Sequence, residues 1–355
     1  MKALVTDRGV LARAANMLTG TSRGKGVREA EVPRPKLLAN EILVKVRAVA
    51  LNPIDTKFID FIAPAGNTAG CDFAGVVVEI GEGAPGRWQI DDRVAGFVQG
   101  GIDKDRGSFA EYIKVEGDLV WRIPGGISDE EASTYGISAV TAMQALYLHL
   151  DVPWPNEDGK GHIDTPIFIY AGSSSVGLFA IQLAKKAGLT VVTTASPHSF
   201  ELVRKYGADH VFDYHTSTAA QDIAKAHPDI TKAIDCFSEG KSTDFCAQIL
   251  QRNGSKVVTL LDTKASVPGV EVKMIMSFQL LGQGFAWLPP IGPKFAASSA
   301  DRDALARFYS SLFELAQTLK APPVKQVGEG FRGILEGLDQ IRAKQVSGSK
   351  LVVTL

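Results

Sequence analysis

Residues 167–177 read I-F-I-Y-A-G-S-S-S-V-G, an apolar run that breaks into a turn of small residues and continues as a helical pattern. A buried strand ending in such a turn presents free backbone N–H groups and the positive end of a helix dipole, which together hold the pyrophosphate of a dinucleotide. Gly172 and Gly177 take the first and third glycine places of that fingerprint, and Ser174 stands where the second glycine is usual. Gly172, Ser173, Ser174, Ser175, Val176 and Gly177 are therefore the candidate phosphate contacts. Val176, Ala180, Leu183 and Ala187 then recur at helical spacing, with Gln182, Lys185 and Lys186 on the other face. A β-rich run at 190–194 completes a βαβ unit, and the chemistry such a unit serves is redox.

The end of that second strand bears on the cofactor. NAD sites place an acid there to accept hydrogen bonds from the adenosine ribose. Here the segment is T-T-A-S-P-H-S, with no acid before Glu201. A carboxylate repels a 2′-phosphate, whereas hydroxyls and an imidazole donate to one. NADPH is the expected cofactor, with Ser196, His198 and Ser199 as donors around Pro197. The same turn also suits Ser196 or Ser199 as cap of the helix that follows.

These residues need a frame to hold them. The chain has 355 residues, enough for two domains, with 45% hydrophobic and 22% charged residues, as in ordinary globular proteins. A formal charge of −1 gives no electrostatic reason to expect nucleic acid or an anionic membrane as partner. The N-terminal M-K-A-L-V-T-D is too poor in apolar residues for a signal peptide, and no stretch would span a bilayer. Three cysteines, Cys71, Cys236 and Cys246, make no disulfide framework, and a cytoplasmic setting is expected.

To about Pro124 the sequence alternates β-rich runs (41–50, 75–80, 93–98, 109–115) with glycine and proline turns. A helical pattern covers 129–150, opened by Ser128 with Glu131 three residues on, a capping box. Residues 151–165 read as an exposed loop. Strands are expected near 167–170, 190–194, 210–212, 232–235, 256–261 and 278–282, with helices between most of them. That alternation predicts an α/β fold with a doubly wound parallel sheet of Rossmann type. Helices at 301–319 and 331–344 and a strand at 350–355 close the chain.

Several segments together resemble the medium-chain dehydrogenase/reductase superfamily: A-V-A-L-N-P-I-D-T-K (48–57), G-C-D-F-A-G-V-V (70–77), D-D-R-V-A-G (91–96), G-S-F-A-E-Y (107–112), G-I-S-A-V-T-A (136–142) and S-G-S-K-L-V-V (347–353). The N-P-I-D-T-K, A-S-P-H-S-F and F-D-Y segments are most similar to fungal trans-acting enoyl reductases of the lovastatin type and toxin-cluster relatives. The resemblance implies a β-rich GroES-like catalytic domain (1–128 and 296–355) around a Rossmann NADP-binding domain (129–295). It also implies reduction of an activated C=C bond in an enoyl thioester or polyketide intermediate, with hydride going to the β-carbon. The enoyl substrate would arrive free or on an acyl carrier, with a polyketide synthase as partner. A stand-alone quinone or enone reductase and a non-catalytic NADPH-binding protein remain the alternatives.

Zinc relatives hold a catalytic metal with a Cys, a His-Glu pair and a further Cys or acid. Here the 52–57 region has no Cys, Cys71-Asp72 replaces the His-Glu pair, and the four-cysteine lobe is absent. No metal is expected, and Cys71 reads as a small buried side chain. Histidines 149, 162, 210 and 215 show no metal or triad spacing. The resemblance makes Lys57 the candidate catalytic residue, as proton donor or as ribose contact. Asn52, Ile54, Asp55 and Thr56 join Lys57 as candidate cofactor contacts, with Asn52 and Asp55 also shaping the turn, Asp55 as a cap. It also places Thr141, Tyr214, Leu260, Leu261 and Lys350 at the cofactor. Gly136, Ile137, Ser138, Thr141, Gly282, Gln283, Gly284 and Phe285 fall at the substrate. Pro289, Pro290 and Pro293 after an expected edge strand at 278–285 argue for a monomer over a dimer.

Overall fold

The computed structural model describes residues 1–22, 24–155, 165–250, 254–288 and 292–355. Most of the 151–165 loop, His162, Pro289 and Pro290 lie outside the described residues. Two units are present: Met1–Ile137 with Phe278–Val346 and Lys350–Leu355, and Ser138–Ser277 with Ser347–Ser349.

The second unit is built on a parallel sheet in the order His210–Asp213, Thr190–Ala195, Pro166–Tyr170, Lys232–Asp235, Ser255–Thr259, Val270–Met274. Its central strands are near-continuous apolar runs because helices cover both faces. The helix Ser175–Lys186 buries Leu178 to Ala184 without interruption, and Gln182, expected on the polar face, is buried with its amide donating to the Leu178 carbonyl.

The sixth strand is not where the apolar run at 278–282 suggested. Ser277–Leu281 is a 3₁₀ helix, and Val270–Met274 supplies the edge strand. Phe278 and Leu280 are buried, and a short apolar run fits a helical turn as well as a strand. V-E-V-K-M alternates as a strand with one wet face does. The edge-strand argument for a monomer therefore does not apply to this sheet. Phe285–Ala286 instead pairs with Lys294–Phe295.

The first unit holds a sheet in the order Val324–Glu329, Lys350–Thr354, Glu41–Ala50, Asp72–Ile80, Arg93–Phe97, Val120–Arg122, with Tyr112–Glu116 also on Glu41–Ala50. Lys2–Thr6 pairs with Val27–Glu31, and between them stands a helix, Val10–Thr19, that the sequence reading did not anticipate. Expected boundaries at 128/129 and 295/296 fall at 137/138 and 277/278. At the first, Asp129 is gripped by Arg93 at 2.7 and 2.9 Å, which ties the Ser128-capped helix Asp129–Ser133 to the β-rich unit. At the second, Phe278 packs on Phe58 and Phe97. The helical pattern at 129–150 is three pieces: Asp129–Ser133, Ile137–Met143 and a π-helical turn, Gln144–His149.

Candidate active site

In the β-rich unit, strand pairing creates a buried charged cluster. Val352 lies opposite Ala50, and Leu51 donates its N–H to the Leu351 carbonyl at 2.9 Å. This register carries Lys350, at the start of the last strand, to Asn52, just past the end of its neighbour. Asn52 then caps the short helix Pro53–Lys57 in a capping box with Asp55, whose Oδ2 accepts the Asn52 N–H at 2.7 Å. Pro53 at the first helical position needs no donor there.

The Lys350 ammonium donates to Asn52 Oδ1. Asn52 Nδ2 donates to Asp72 Oδ2 at 2.9 Å, and Lys350 Nζ lies 3.8 Å from the same carboxylate. Asp72 Oδ1 accepts the Ile137 N–H at 2.7 Å. Gly136 is required beside it, because a Cβ there would stand 2.2 Å from Asp72 Oδ1. Asn52, Asp55, Cys71, Asp72 and Lys350 are all at most 4% exposed.

Burial sets the electrostatics. It pushes the Asp72 carboxyl up to about 6, against the pull of Lys350, the Ile137 N–H and the Asn52 amide. It pushes Asp55 up to about 7; the Cys71 thiol and the Asn52 N–H oppose this, and the neighbouring Asp72 charge adds to it. Burial also lowers Lys350, which Asp72, Asp55 and Cys71 hold up in turn. The Cys71 thiol is driven well above its ordinary value by burial and by both carboxylates, which suits the inert packing role expected of it. Asp55 caps as expected and also titrates near neutrality.

Asn52, Asp55, Gly136, Ile137 and Lys350 are thus brought together around Asp72, a residue the sequence reading weighed only as a replaced metal ligand. Ile54 and Lys57 are half-buried on the same short helix, and Thr56 is buried with its hydroxyl on the Pro53 carbonyl at 2.8 Å. A π-helical turn, Phe58–Ile62, follows Lys57. It is fixed by Asp60, which accepts from Arg8 at 3.1 Å and from Arg342 at 2.9 and 3.0 Å.

Gly282, Gln283, Gly284 and Phe285 belong to a different place in this unit. Gln283 donates to Glu116 at 3.2 Å. It lines a cavity of about 50 Å³ with Phe97, Gln99, Arg106, Glu116 and Phe278, a set that shares no residue with the Asp72 cluster. Gly282, at φ +78, packs against Arg302, and the Phe285 ring stacks on Phe295 at 4.6 Å.

In the parallel-sheet unit the strand-to-helix turn forms as its sequence demands. Ser174 caps the helix Ser175–Lys186, its hydroxyl accepting the Gly177 N–H at 3.1 Å. A Cβ on Gly172 would meet Thr193 Oγ1 at 2.2 Å, and one on Gly177 would meet the Ala171 carbonyl at 2.5 Å. The missing middle glycine is thus compensated by a capping serine. Ser173 and Val176 are half-buried at this turn.

At the end of the next strand the Ser196 hydroxyl donates to the Tyr214 hydroxyl at 3.2 Å, joining two of the expected cofactor contacts. Pro197–Ser199 is a 3₁₀ turn in which Pro197 and His198 are exposed and Ser199 is buried. Neither Ser196 nor Ser199 makes a side-chain cap, contrary to that alternative reading. Leu260 and Leu261 follow the strand Ser255–Thr259, expected to run to 261, and Leu260 donates its N–H to Ser238 Oγ at 2.8 Å. Ser238 is itself held by Asp235, a buried carboxylate that also accepts from Ser242 and Thr243 and that the sequence did not flag. Ser138 and Thr141 are buried in this unit.

Comparison with known proteins identifies the family. Residues 38–125 match the alcohol dehydrogenase GroES-like domain, and residues 175–290 match the family described as zinc-binding dehydrogenase. The chain is 36% identical to the trans-enoyl reductase fsa3 of a Fusarium species over 97% of its length and 99% of that relative's. It is 36% identical to the trans-enoyl reductase FSL5 of Gibberella zeae, covering 91% of this chain and 92% of that one. The chain belongs to the trans-enoyl reductases of the medium-chain dehydrogenase/reductase superfamily.

It is an NAD(P)-dependent oxidoreductase with an α/β fold carrying a GroES-like domain. Among solved structures, CurK enoyl reductase has a TM-score of 0.73 at 18% identity, over 99% of each chain. The Escherichia coli quinone oxidoreductase complexed with NADPH has a TM-score of 0.73 at 16% identity, over all of each chain. At those identities the likeness shows the fold.

A zinc ion, which one matching family's description names, does not fit the residues present. Among the described residues no group of three or more His, Cys, Asp and Glu side chains could hold a metal. The cation beside Asp72 is the Lys350 ammonium. A nicotinamide dinucleotide does fit: the Gly172–Gly177 cradle has no room for a Cβ, and the Ser196–Tyr214 pair offers hydroxyls at the strand end. Among the described residues, no helix is long and apolar enough to cross a membrane.

Proposed function

We propose that this chain reduces the activated C=C bond of an enoyl thioester, using NADPH and no zinc, on a polyketide intermediate supplied by a synthase in trans. The observation that carries the reading is the buried Lys350 ammonium amid Asp72, Asp55 and Cys71. The cation beside Asp72 is the chain's own ammonium, and reduction of a polarised double bond needs no metal. The relatives' names support the enoyl substrate, and the absence of an acid before Glu201 supports NADPH.

When bound, the nicotinamide supplies the hydride that goes to the β-carbon. The chain's own residues bind and orient. The Gly172–Gly177 turn takes the pyrophosphate, Ser196, His198 and Tyr214 take the 2′-phosphate, and the Leu260–Leu261 backbone and Thr141 take the nicotinamide end. Lys57, anchored by the capped turn on one side and Asp60 on the other, serves the nicotinamide ribose or the proton delivered to the α-carbon.

The test is oxidation of NADPH, and of NADH in parallel, with a short 2-enoyl thioester and with a quinone, before and after dialysis against a chelator. Turnover of the thioester with NADPH, unchanged by the chelator, supports the reading. Turnover of the quinone alone replaces it with a stand-alone reductase, and tight NADPH binding with no turnover replaces it with a binding protein. A Lys57→Met variant that raises KM for NADPH makes Lys57 a ribose contact; one that lowers kcat with KM unchanged makes it the proton donor.

A further inference from the structure

A 2′-phosphate is close to a dianion at neutral pH, and two hydroxyls do not balance its charge. The turn that ends strand Thr190–Ala195 reads S-P-H-S-F, with no lysine or arginine. A fixed cation for that phosphate has to come from another element, and the neighbouring strand supplies one.

His210–Asp213 runs parallel to Thr190–Ala195, with Asp213 opposite Ala195. The chain leaving Asp213 therefore passes beside Ser196, which is why the Tyr214 and Ser196 hydroxyls meet at 3.2 Å. His215 follows and is held from two sides. Asp213 Oδ1 accepts its backbone N–H at 3.0 Å and its ring Nδ1–H at 2.7 Å. Its ring lies on the Tyr214 ring, with centroids 4.0 Å apart and a tilt of 32°. The side chain is 59% accessible, and so gives up rotamer freedom to be held this way.

The electrostatics agree with the geometry. The bonds from His215 hold the Asp213 carboxyl below its ordinary value, so it is an anion, and a bare anion at this strand end would repel a 2′-phosphate. Asp213 turns that charge onto His215. With Nδ1–H given to Asp213, Nε2 donates to a phosphate as the imidazolium, the form that an anion on either side favours. The ring contact sets this charge within the ~8 Å screening length of the Tyr214 hydroxyl. Among the described residues, Asp213 is the charged group in contact with His215. Asp222, on the helix Ala219–Ala226 that follows, accepts instead from Thr218 at 2.8 Å. His210 packs on His227 at the opposite end of the strand.

We propose that His215, oriented by Asp213 and laid on Tyr214, is the cation that selects a 2′-phosphorylated dinucleotide over its unphosphorylated counterpart. This rests on the NADPH reading above and names the residue that sets the preference. His198, exposed in the Pro197–Ser199 turn, is the rival imidazole at this strand end.

Calorimetric titration of the full chain with adenosine 2′-monophosphate, adenosine 5′-monophosphate, NADPH and NADH tests it without recourse to turnover. His215→Gln keeps an amide for Asp213 but carries no charge. It should weaken the 2′-monophosphate and NADPH by about tenfold, the scale of one hydrogen bond to a charged group. NADH and the 5′-monophosphate should bind as they do to the parent, and His215→Arg should restore the preference. Equal weakening of NADPH and NADH makes His215 a prop for Tyr214 and overturns the proposal. A preference unchanged in His215→Gln but lost in His198→Gln overturns it too. A parent chain that binds NADH as tightly as NADPH overturns the NADPH reading and this proposal with it. The expected pattern in a chain that turns over no thioester upholds His215 and overturns only the enoyl reductase reading.

Discussion

Asp55→Asn is expected to make the protein more stable, and increasingly so as pH rises. Asp55 is 2% exposed and its carboxyl is pushed up to about 7, mainly by burial. In the unfolded chain it titrates near ~3.9. Between those values the folded chain holds a proton that the unfolded chain has released. Asp55 therefore favours folding fully below about pH 4, and that contribution is lost as pH rises through about 7. A difference of roughly 3 pH units at ~1.4 kcal/mol each makes about 4 kcal/mol, of which about 3 kcal/mol falls between pH 5 and pH 8.

Asparagine avoids the loss because it has nothing to ionise. Its side-chain oxygen still accepts the Asn52 N–H that Asp55 Oδ2 accepts at 2.7 Å, so the cap survives. Removing the charge also relieves its repulsion with Asp72, which works in the same direction; the loss of attraction for Lys350 works against it. Urea unfolding of both proteins at pH 5, 6.5 and 8 reads the difference, with equal slopes showing that only stability has changed. The gap between variant and parent should widen by about 3 kcal/mol from the first pH to the last. A gap that stays flat or narrows refutes the assignment of Asp55 as a buried acid that ionises at a cost.

Two further substitutions test the frame around the site. Gly177→Ala puts a Cβ 2.5 Å from the Ala171 carbonyl and 2.8 Å from Gly172 Cα, backbone that cannot yield without opening the turn; dinucleotide affinity, followed by fluorescence titration, should fall more than about tenfold, ~1.4 kcal/mol. Asp60→Asn removes the carboxylate that Arg8 and Arg342 share, and takes from the buried Arg8 guanidinium that charge partner while Arg342 keeps Asp339, which should cost about 3 kcal/mol in denaturant unfolding and raise KM through the neighbouring Lys57 turn.

The sequence carried the parallel-sheet unit well because its signals are local. The strand, the glycine turn and the helix from Ile167 to Lys186 are contiguous, and each residue type there answers to its own neighbours. Strand Val270–Met274 was missed because V-E-V-K-M is half polar, while S-F-Q-L-L looked more like a buried strand and proved to be a 3₁₀ turn around Phe278 and Leu280. Helix Val10–Thr19 escaped because its apolar stripe points outward, and a sequence pattern does not say which side of a helix faces the protein.

The charged cluster shows where local reading stops. Asn52, Asp72 and Lys350 lie in separate matched segments, and only the pairing of the last strand with Glu41–Ala50 makes them neighbours. Once they are neighbours, the chemistry of the donors fixes the rest. An ammonium can only donate, so Lys350 holds Asn52 with its oxygen towards Nζ and its amide nitrogen towards Asp72. Asp72 must then accept on that oxygen while its other oxygen accepts the Ile137 N–H. No asparagine at position 72 satisfies both neighbours. Its nitrogen would face either the Ile137 N–H or the Asn52 amide, and turning Asn52 would only move the conflict to Lys350. The acid at position 72 is therefore specified by a lysine 278 residues away in the chain, through one amide between them.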